Sequence, residues 1–525
     1  GEGHAIEKGA RTKVSEAQDP AHTLHLCELN QGKSYAIDLS ELEGLHTPPA
    51  YFDQYDYEKE NYTKDLFIHL HGFNDTGAKL LVELKSHDNK DRWIGTVSTK
   101  TKRFHLHDHQ HDEAWIGGPG ITGWNMVAGN MGWINTHEFY YQSEVTGYSH
   151  LYSFDLSTKE SKALTKGEFE IHDAKLSQDK SCFYLTTNQT HLGNRDFYHL
   201  DIKSEKLVPI LTKDGFHEVH LSPDEKWLLV AYDYKNQPTE LYLCKNAPNA
   251  EMKRLTFSQQ PAFTEYPWRA PEVITFKASD QVEVPARIYQ PEAGNKNGAA
   301  ILFVHGAGYL QNAHNGWSGY YREYMFHNLL CDLGYTVLDI DYRASKGYGR
   351  DYRTAIYRHM GGRDLEDYRD ARRYLVDNHD IDSNRVGIYG GSYGGFITLM
   401  ALLTAPDEFA CGAAIRSVTD WAHYNYPYTS NILNTPELDP QAYEKSSPIY
   451  FAEGLKNPLL MLHGMMDDNV QYQDVVRLSQ RFIELGKKDW NLVGYPIEPH
   501  GFKEASSWTD EYGRILELFN EHLLQ

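Results

Sequence analysis

Cysteine is scarce. The chain has five in 525 residues (Cys27, Cys182, Cys244, Cys331 and Cys411), scattered and without a C-x-x-C. So sparse and odd a set argues against a disulfide framework, although a single bridge stays open. Long apolar runs are also missing, and no stretch could span a bilayer. Positive charge is in deficit: 51 Lys and Arg against 73 Asp and Glu give a formal net charge of −22. That balance argues against nucleic acid and anionic membrane as partners. It suggests a soluble protein that repels its own copies, with a homodimer left open. No leader sequence is visible and the first residue is Gly1, not Met. The expectation is a chain shortened at its N-terminus, and the compartment, periplasmic or cytoplasmic, stays open. No cofactor and no metal is expected. Aromatics are plentiful instead: 13% of the chain, with 37 Tyr, which suits a sheet-rich architecture. The length makes two domains the natural prior, and 40% hydrophobic residues support large packed cores.

The most informative stretch is Gly390-Gly391-Ser392-Tyr393-Gly394-Gly395. It follows the apolar run 386–389 and precedes the apolar run 396–400, which reads as strand, sharp turn, helix. A G-x-S-x-G at such a junction is a nucleophile elbow, a turn so tight that only glycine fits beside the serine. Ser392 is then the nucleophile, and the amide of Tyr393 can donate to an oxyanion. The alternative is a Gly-rich turn with a passenger serine.

An elbow serine needs a base, and the base needs an orienting carboxylate, in the chain order Ser, Asp, His. Residues 458–464 read as a buried strand, and the loop after it carries Asp467 and Asp468. Residues 492–495 read as the last strand, with His500 in the loop beyond. Carboxyl ends of parallel strands are where such folds place chemistry. His500 would take the proton from Ser392, and an Asp would hold its tautomer. Spacing alone does not choose between Asp467 and Asp468. Residues 300–304 read as another buried strand, followed by His305-Gly306-Ala307-Gly308-Tyr309. A loop in that place lends the second oxyanion donor.

Taken together, residues 463–470 (HGMMDDNV) resemble the acid loop of the prolyl oligopeptidase family, above all its dipeptidyl peptidase IV branch. The resemblance runs from about Pro271 to the end. It implies that Asp467 is the triad member and that Asn469 binds a substrate carbonyl. It implies further that Val418, Trp421, Tyr424 and Tyr428 line the pocket for the residue before the cut bond, with Tyr393 and Val470 as further walls. A flat aromatic slot suits proline, a compact ring without an N–H; ordinary packing around a loop is the alternative. Two departures stand out. The branch has a Tyr right after the strand as oxyanion donor, where this chain has His305, as in the acylaminoacyl-peptidase branch. The donor is then a His305 group, a backbone amide or Tyr309. The branch also grips the substrate amino terminus with consecutive glutamates, and this chain has no Glu-Glu pair. The loop 341–349, with Ala344 in place of a usual Gly, reads as structural.

The first half reads differently. Short alternating runs recur between turn signals such as Ser177-Gln178-Asp179-Lys180 and Ser222-Pro223-Asp224-Glu225-Lys226. Their separation matches a propeller-blade period of roughly 40–45 residues, so about five or six blades are expected. The fold class expected is an α/β-hydrolase, with a doubly wound and mostly parallel sheet, preceded by an all-β propeller that is incomplete at its N-terminus. The boundaries expected are 1–265 and 266–525, with a hinge near 258–272. His105, His107, His109 and His111 alternate and would share one face of a strand, where a metal is conceivable but a solvated blade edge is the plainer reading. The sequons at Asn61, Asn74 and Asn188 read as chance matches.

Three functions follow. The leading one is a serine peptidase that cuts short peptides after proline near the amino terminus, of dipeptidyl- or tripeptidyl-peptidase type, through an acyl-enzyme on Ser392. The second is an acylaminoacyl-peptidase or carboxylesterase-type hydrolase. The third is an inactive peptide-binding scaffold.

Overall fold

In the computed structural model the described residues are 13–14, 21–124 and 126–524. The first half is all-β. After a two-stranded hairpin (His25–Glu28 with Lys33–Ala36) come four antiparallel four-stranded sheets. They span Leu66 to His111, Met131 to Ala163, Ile171 to Leu211 and Phe216 to Arg254. These are propeller blades. Alternation drives them: in the strand Trp227–Tyr234, Leu228, Val230 and Tyr232 are buried in turn.

The repeat read from the turns holds at atomic level. Ser177 Oγ donates to Asp179 Oδ1 at 2.8 Å, and Ser222 Oγ to Asp224 Oδ1 at 2.7 Å. In both turns the serine oxygen also accepts an amide five residues on, and the third residue after the serine has φ near +58° (Lys180 59°, Glu225 57°). The expectation of five or six blades is corrected to four among the described residues. Residues 37–65 are spent on turns and a short 3-10 helix, not on strands.

The second half builds one eight-stranded sheet from β1 (Glu272–Lys277), β2 (Glu283–Tyr289), β3 (Ala300–Val304), β4 (Thr336–Ile340), β5 (Val386–Gly391), β6 (Cys411–Ile415), β7 (Leu459–Gly464) and β8 (Trp490–Tyr495). Their spatial order is β1-β2-β4-β3-β5-β6-β7-β8, antiparallel at β1 and β2 and parallel from β4 onward. Strands β3, β4 and β6 are buried along their whole length, as strands covered on both faces must be. Ala300, Leu302 and Val304 face one core, under helices α2 (Arg363–Asn378), α3 (Tyr393–Thr404) and α4 (Gln473–Glu484). Ile301 and Phe303 face the other, under α1 (Tyr321–Asp332) and α5 (Ala505–Leu523). The expected α/β-hydrolase after a bladed region is therefore what the chain forms.

The two halves are joined by polar contacts. Arg353 makes two 2.8 Å hydrogen bonds to Glu144, Lys90 donates to Tyr357 Oη at 2.9 Å, and Asn188 Nδ2 donates to the Gly347 carbonyl at 3.0 Å. The Val14 amide donates to the Tyr424 carbonyl at 3.0 Å. The segment 258–272 is fastened to the hydrolase half: Trp268 packs on Tyr324, and Arg269 pairs with Asp332 at 2.8 Å.

The alternating histidines do not act as one face. A bulge between Ile94 and Gly95 breaks the register opposite them. His109 and His111 both donate to Asp91 Oδ1 at 2.9 Å, while His107 bonds Thr96 and packs on Phe154. Asn74 and Asn188 are buried, and their amides serve turns and the contact between halves. All five cysteines are free. Among the described residues no helix is long and apolar enough to cross a membrane.

Candidate active site

Ser392 stands between β5 and α3 with φ 60° and ψ −116°. That is strained backbone for a residue with a Cβ, of a kind that persists where the surroundings enforce it. Its neighbours enforce it by close approach. A Cβ on Gly390 would lie 2.3 Å from the Val304 carbonyl oxygen, and one on Gly394 2.0 Å from the same atom. Only glycine lets the elbow press against the end of β3.

The loop after β7 holds Asp467, whose carboxylate is fully engaged. Oδ1 accepts the amides of Asn469 and Val470 at 2.9 Å each. Oδ2 accepts His500 Nδ1–H at 2.8 Å and lies 3.1 Å from His463 Nε2. Burial alone would raise this carboxyl; the hydrogen bonds from His463 and His500 overcome burial and hold it well below the usual range. His500 thus carries its proton on Nδ1 and leaves Nε2 as a base. Burial pushes its pKa below the ordinary imidazole value, against the upward pull of Asp467. Asp468 is exposed to solvent. His463, the second histidine on Asp467, was not singled out in the sequence. Its only signal is its place at the end of a buried strand, four residues before the carboxylate.

The oxyanion region departs from expectation. His305 is fully buried, with Nδ1 2.7 Å from the Gly306 carbonyl and Nε2 3.1 Å from Ser345 Oγ. Its ring stacks on Tyr342, which stacks on Tyr393. Both ring nitrogens are committed inside the loop, so the side chain is a support for Tyr393. Tyr309 is half-exposed and packs against Trp124 and Tyr428. A residue outside the expected set has its hydroxyl at this loop. Tyr320 Oη accepts the Gly306 N–H at 2.6 Å, at the start of the loop after β3. Among the described residues no acceptor takes the Tyr320 hydroxyl proton.

The aromatic segment after β6 folds into one cluster. Trp421 is 5.5 Å from Tyr424, 6.1 Å from Tyr428 and 5.7 Å from Tyr393, centroid to centroid. Val418 and Val470 are buried in the same core. Tyr424 Oη donates to Asn469 Oδ1 at 3.0 Å, which ties the cluster to the acid loop. Tyr393 Oη donates to Asp364, a buried carboxyl that burial pushes up to about 6. Trp421 Nε1–H and Tyr428 O–H are buried without a partner among the described residues, so each is a donor that a bound carbonyl would satisfy.

Tyr428 is also a wall of a second space, a cavity of 340 Å³ between the two halves. Trp115 and Trp124 come from the blade half, and Tyr309, Lys346 and Arg353 from the hydrolase half.

The fold and these side chains define a hydrolase-fold protein with a strained serine at an elbow, a histidine–aspartate pair on the loops after β7 and β8 of the same sheet, and a bladed region in front. Residues 323–525 match the model of the prolyl oligopeptidase family, and residues 16–239 match the dipeptidyl peptidase IV N-terminal region. The chain belongs to the prolyl oligopeptidase family. It is 28% identical over 449 residues to human dipeptidyl peptidase 8, covering 75% of this chain and 49% of that protein. It is 25% identical over 417 residues to dipeptidyl peptidase 4 of Trichophyton equinum, covering 76% and 53%. The chain therefore spans about half the length of these curated relatives. In fold it is similar to the dipeptidyl peptidase 4 of Porphyromonas gingivalis, with a TM-score of 0.76 at 20% identity over 95% of this chain and 67% of that one. A putative dipeptidyl aminopeptidase IV from Bacteroides ovatus gives the same TM-score of 0.76 at 20% identity, over 95% of this chain and 70% of that one.

Proposed function

We propose that the chain is a serine peptidase that cuts short peptides after proline near the amino terminus. The observation that carries this is the Asp467–His500 hydrogen bond of 2.8 Å, in loops after strands of the same parallel sheet that carries the elbow serine held at φ 60°. Ser392 Oγ attacks the carbonyl carbon while His500 Nε2 takes its proton. The Tyr393 amide and the Tyr320 hydroxyl receive the oxyanion. His500 then passes the proton to the leaving amine, and water, deprotonated by the same histidine, releases the acyl group from Ser392. The substrate's proline sits among Val418, Trp421, Tyr424, Tyr428, Tyr393 and Val470, and Asn469 donates to a substrate carbonyl. The names of the relatives, dipeptidyl peptidases 4 and 8, agree with an exopeptidase of this kind.

The test has two parts. A fluorophosphonate should label wild type on Ser392 and leave Ser392→Ala unlabelled. Matched chromogenic substrates differing only in the residue before the cut should rank Pro over Ala by roughly 10–200-fold in kcat/KM, the worth of a few lost methylene contacts, with Lys far behind. Absence of labelling would leave a peptide-binding scaffold. Equal rates for Pro, Ala and Lys would move the reading to an acyl-peptide hydrolase or esterase.

A further inference from the structure

The elbow serine has a second strained residue beside it. Arg416 follows β6 with φ 42°, a left-handed backbone that a residue with a Cβ rarely adopts. Two hydrogen bonds enforce it: the Ser392 amide donates to the Ile415 carbonyl at 2.9 Å, and the Arg416 amide to the Leu462 carbonyl at 2.7 Å. The guanidinium lies against the residue before the nucleophile, where a Cβ on Gly391 would be 2.9 Å from Arg416 Nη2. The variable position inside G-x-S-x-G is thus filled by a glycine that leaves room for a cation. A second cation joins it. Arg416 and Arg322, the latter at the start of α1, both sit over the Trp508 ring, 5.8 Å and 4.5 Å from its centroid. Neither guanidinium has an ion-pair partner among the described residues, and Arg416 Nη1 is buried without a hydrogen bond. Glu323 and Glu511 lie within the field of Arg416, but both are buried, and burial pushes both toward the neutral form. Two like charges gathered on one ring are disfavoured until an anion joins them.

The sheet separates this pair from the aromatic slot. Tyr393, Val418, Trp421, Tyr428 and Val470 belong to the core under α2, α3 and α4, whereas Trp508 and Tyr320 pack on the core under α1 and α5. A peptide whose proline fills the slot and whose carbonyl meets Ser392 therefore sends its leaving group over the second face. The Arg416 charge is felt there at His500, where it adds to burial in lowering the imidazole. In a leaving group of a single residue, the amine that takes the proton from His500 and the carboxylate are bonded to the same carbon. Resting on the peptidase reading above, we propose that Arg416, with Arg322 beside it, binds the carboxylate of a one-residue leaving group. The substrate class is a tripeptide with proline in the middle and a free C-terminal carboxylate.

The experiment compares kcat/KM for Ala-Pro-Ala and its C-terminal amide on wild type, Arg416→Met and Arg322→Met. The acid should exceed the amide by about tenfold, the scale of one charge-assisted contact. The ratio should fall to about one in Arg416→Met and to about three in Arg322→Met. For Ala-Pro-Ala-Ala, whose carboxylate lies a residue further out, the ratio should be about one on wild type. An amide cut as fast as the acid, a ratio unchanged in Arg416→Met, or the same ratio for the longer peptide overturns the proposal. Where Arg416→Met does not fold, Arg322→Met decides, and an unchanged ratio there overturns it. Ala-Lys-Ala cut as fast as Ala-Pro-Ala, with the acid preference intact, would instead sink the proline slot and leave the arginine site standing. If no peptide is cut, calorimetry on Ser392→Ala decides. Tighter binding of the acid than of the amide, lost when Arg416→Met is added, supports the site, and equal or absent binding overturns it.

Discussion

The hydrolase half and the blade half contribute to the site in different ways. The hydrolase half carries its candidate site in short contiguous stretches, because Ser392, Asp467 and His500 each lie in the turn or loop that follows a strand of the sheet. The blade half carries no such stretch. It contributes walls, Trp115 and Trp124, and one clamp, Glu144 on Arg353. The geometry of the elbow and acid loop is local, and the cavity is shared by both halves. Variants in one half should therefore damage rate, and variants at the clamp should damage the union of the halves.

The largest expected effect lies wholly in the hydrolase half. Asp467→Asn should lower kcat/KM by about 10⁴-fold, since the amide would favour the wrong tautomer of His500. Asp468→Asn, exposed, should stay close to wild type. Steady-state kinetics on both variants checks this, and the reverse ranking would reassign the orienting carboxylate.

Arg353→Met tests the union. It leaves Glu144 buried beside Gly118 without its guanidinium, and breaking a largely buried pair on one side removes about 3–5 kcal/mol. Urea unfolding followed by tryptophan fluorescence should show the midpoint falling and the transition broadening as the halves part. An unchanged midpoint would mean that the clamp is dispensable. Next in size is Tyr320→Phe, which removes the hydroxyl proposed above as an oxyanion donor. The expected loss is about 10²–10³-fold in kcat with little change in KM. Loss confined to KM would move Tyr320 from the oxyanion to substrate binding.

These variants also mark what could be read from the sequence. The elbow was legible because the glycine requirement is local: Gly390 and Gly394 are forced by a single carbonyl, that of Val304. Asp467 and His500 were legible through chain order and strand ends. Tyr320 was not, because its hydroxyl reaches Gly306 from fourteen residues downstream, at the start of a helix. His463 looked like the end of a strand, since its tie to Asp467 exists only once the acid loop folds back. Blade turns were legible from their Ser-x-Asp chemistry, but blade number was not. Length alone cannot tell strand from the turns of residues 37–65. The histidine alternation at 105–111 looked like one face because a bulge in the pairing has no mark in the sequence.

The smallest effect sharpens the comparison through pH. Each half buries a glutamate completely. In the blade half, Glu83 lies 2.7 Å from Arg92 and 3.7 Å from Lys85; burial would raise it, but these cations hold it well below the usual range. In the hydrolase half, Glu511 has neither oxygen partnered among the described residues, and burial pushes it up to about 8. The signs are therefore opposite. Glu83 stabilises above the ordinary carboxyl pKa of 4.5, and that contribution is lost as pH falls. Glu511 is protonated in the folded state while its unfolded form ionises near 4.5, so its contribution is lost as pH rises from 4.5 to about 8. Glu511→Gln mimics the protonated form at every pH. It should leave the apparent Tm nearly unchanged at acid pH and raise it at pH ~8, by a few degrees at most, corresponding to a stability gain on the order of 1–3 kcal/mol. Thermal scans at one fixed rate, at both pH values, measure this. A gain equal at both would mean that packing, not ionisation, separates the two halves' glutamates.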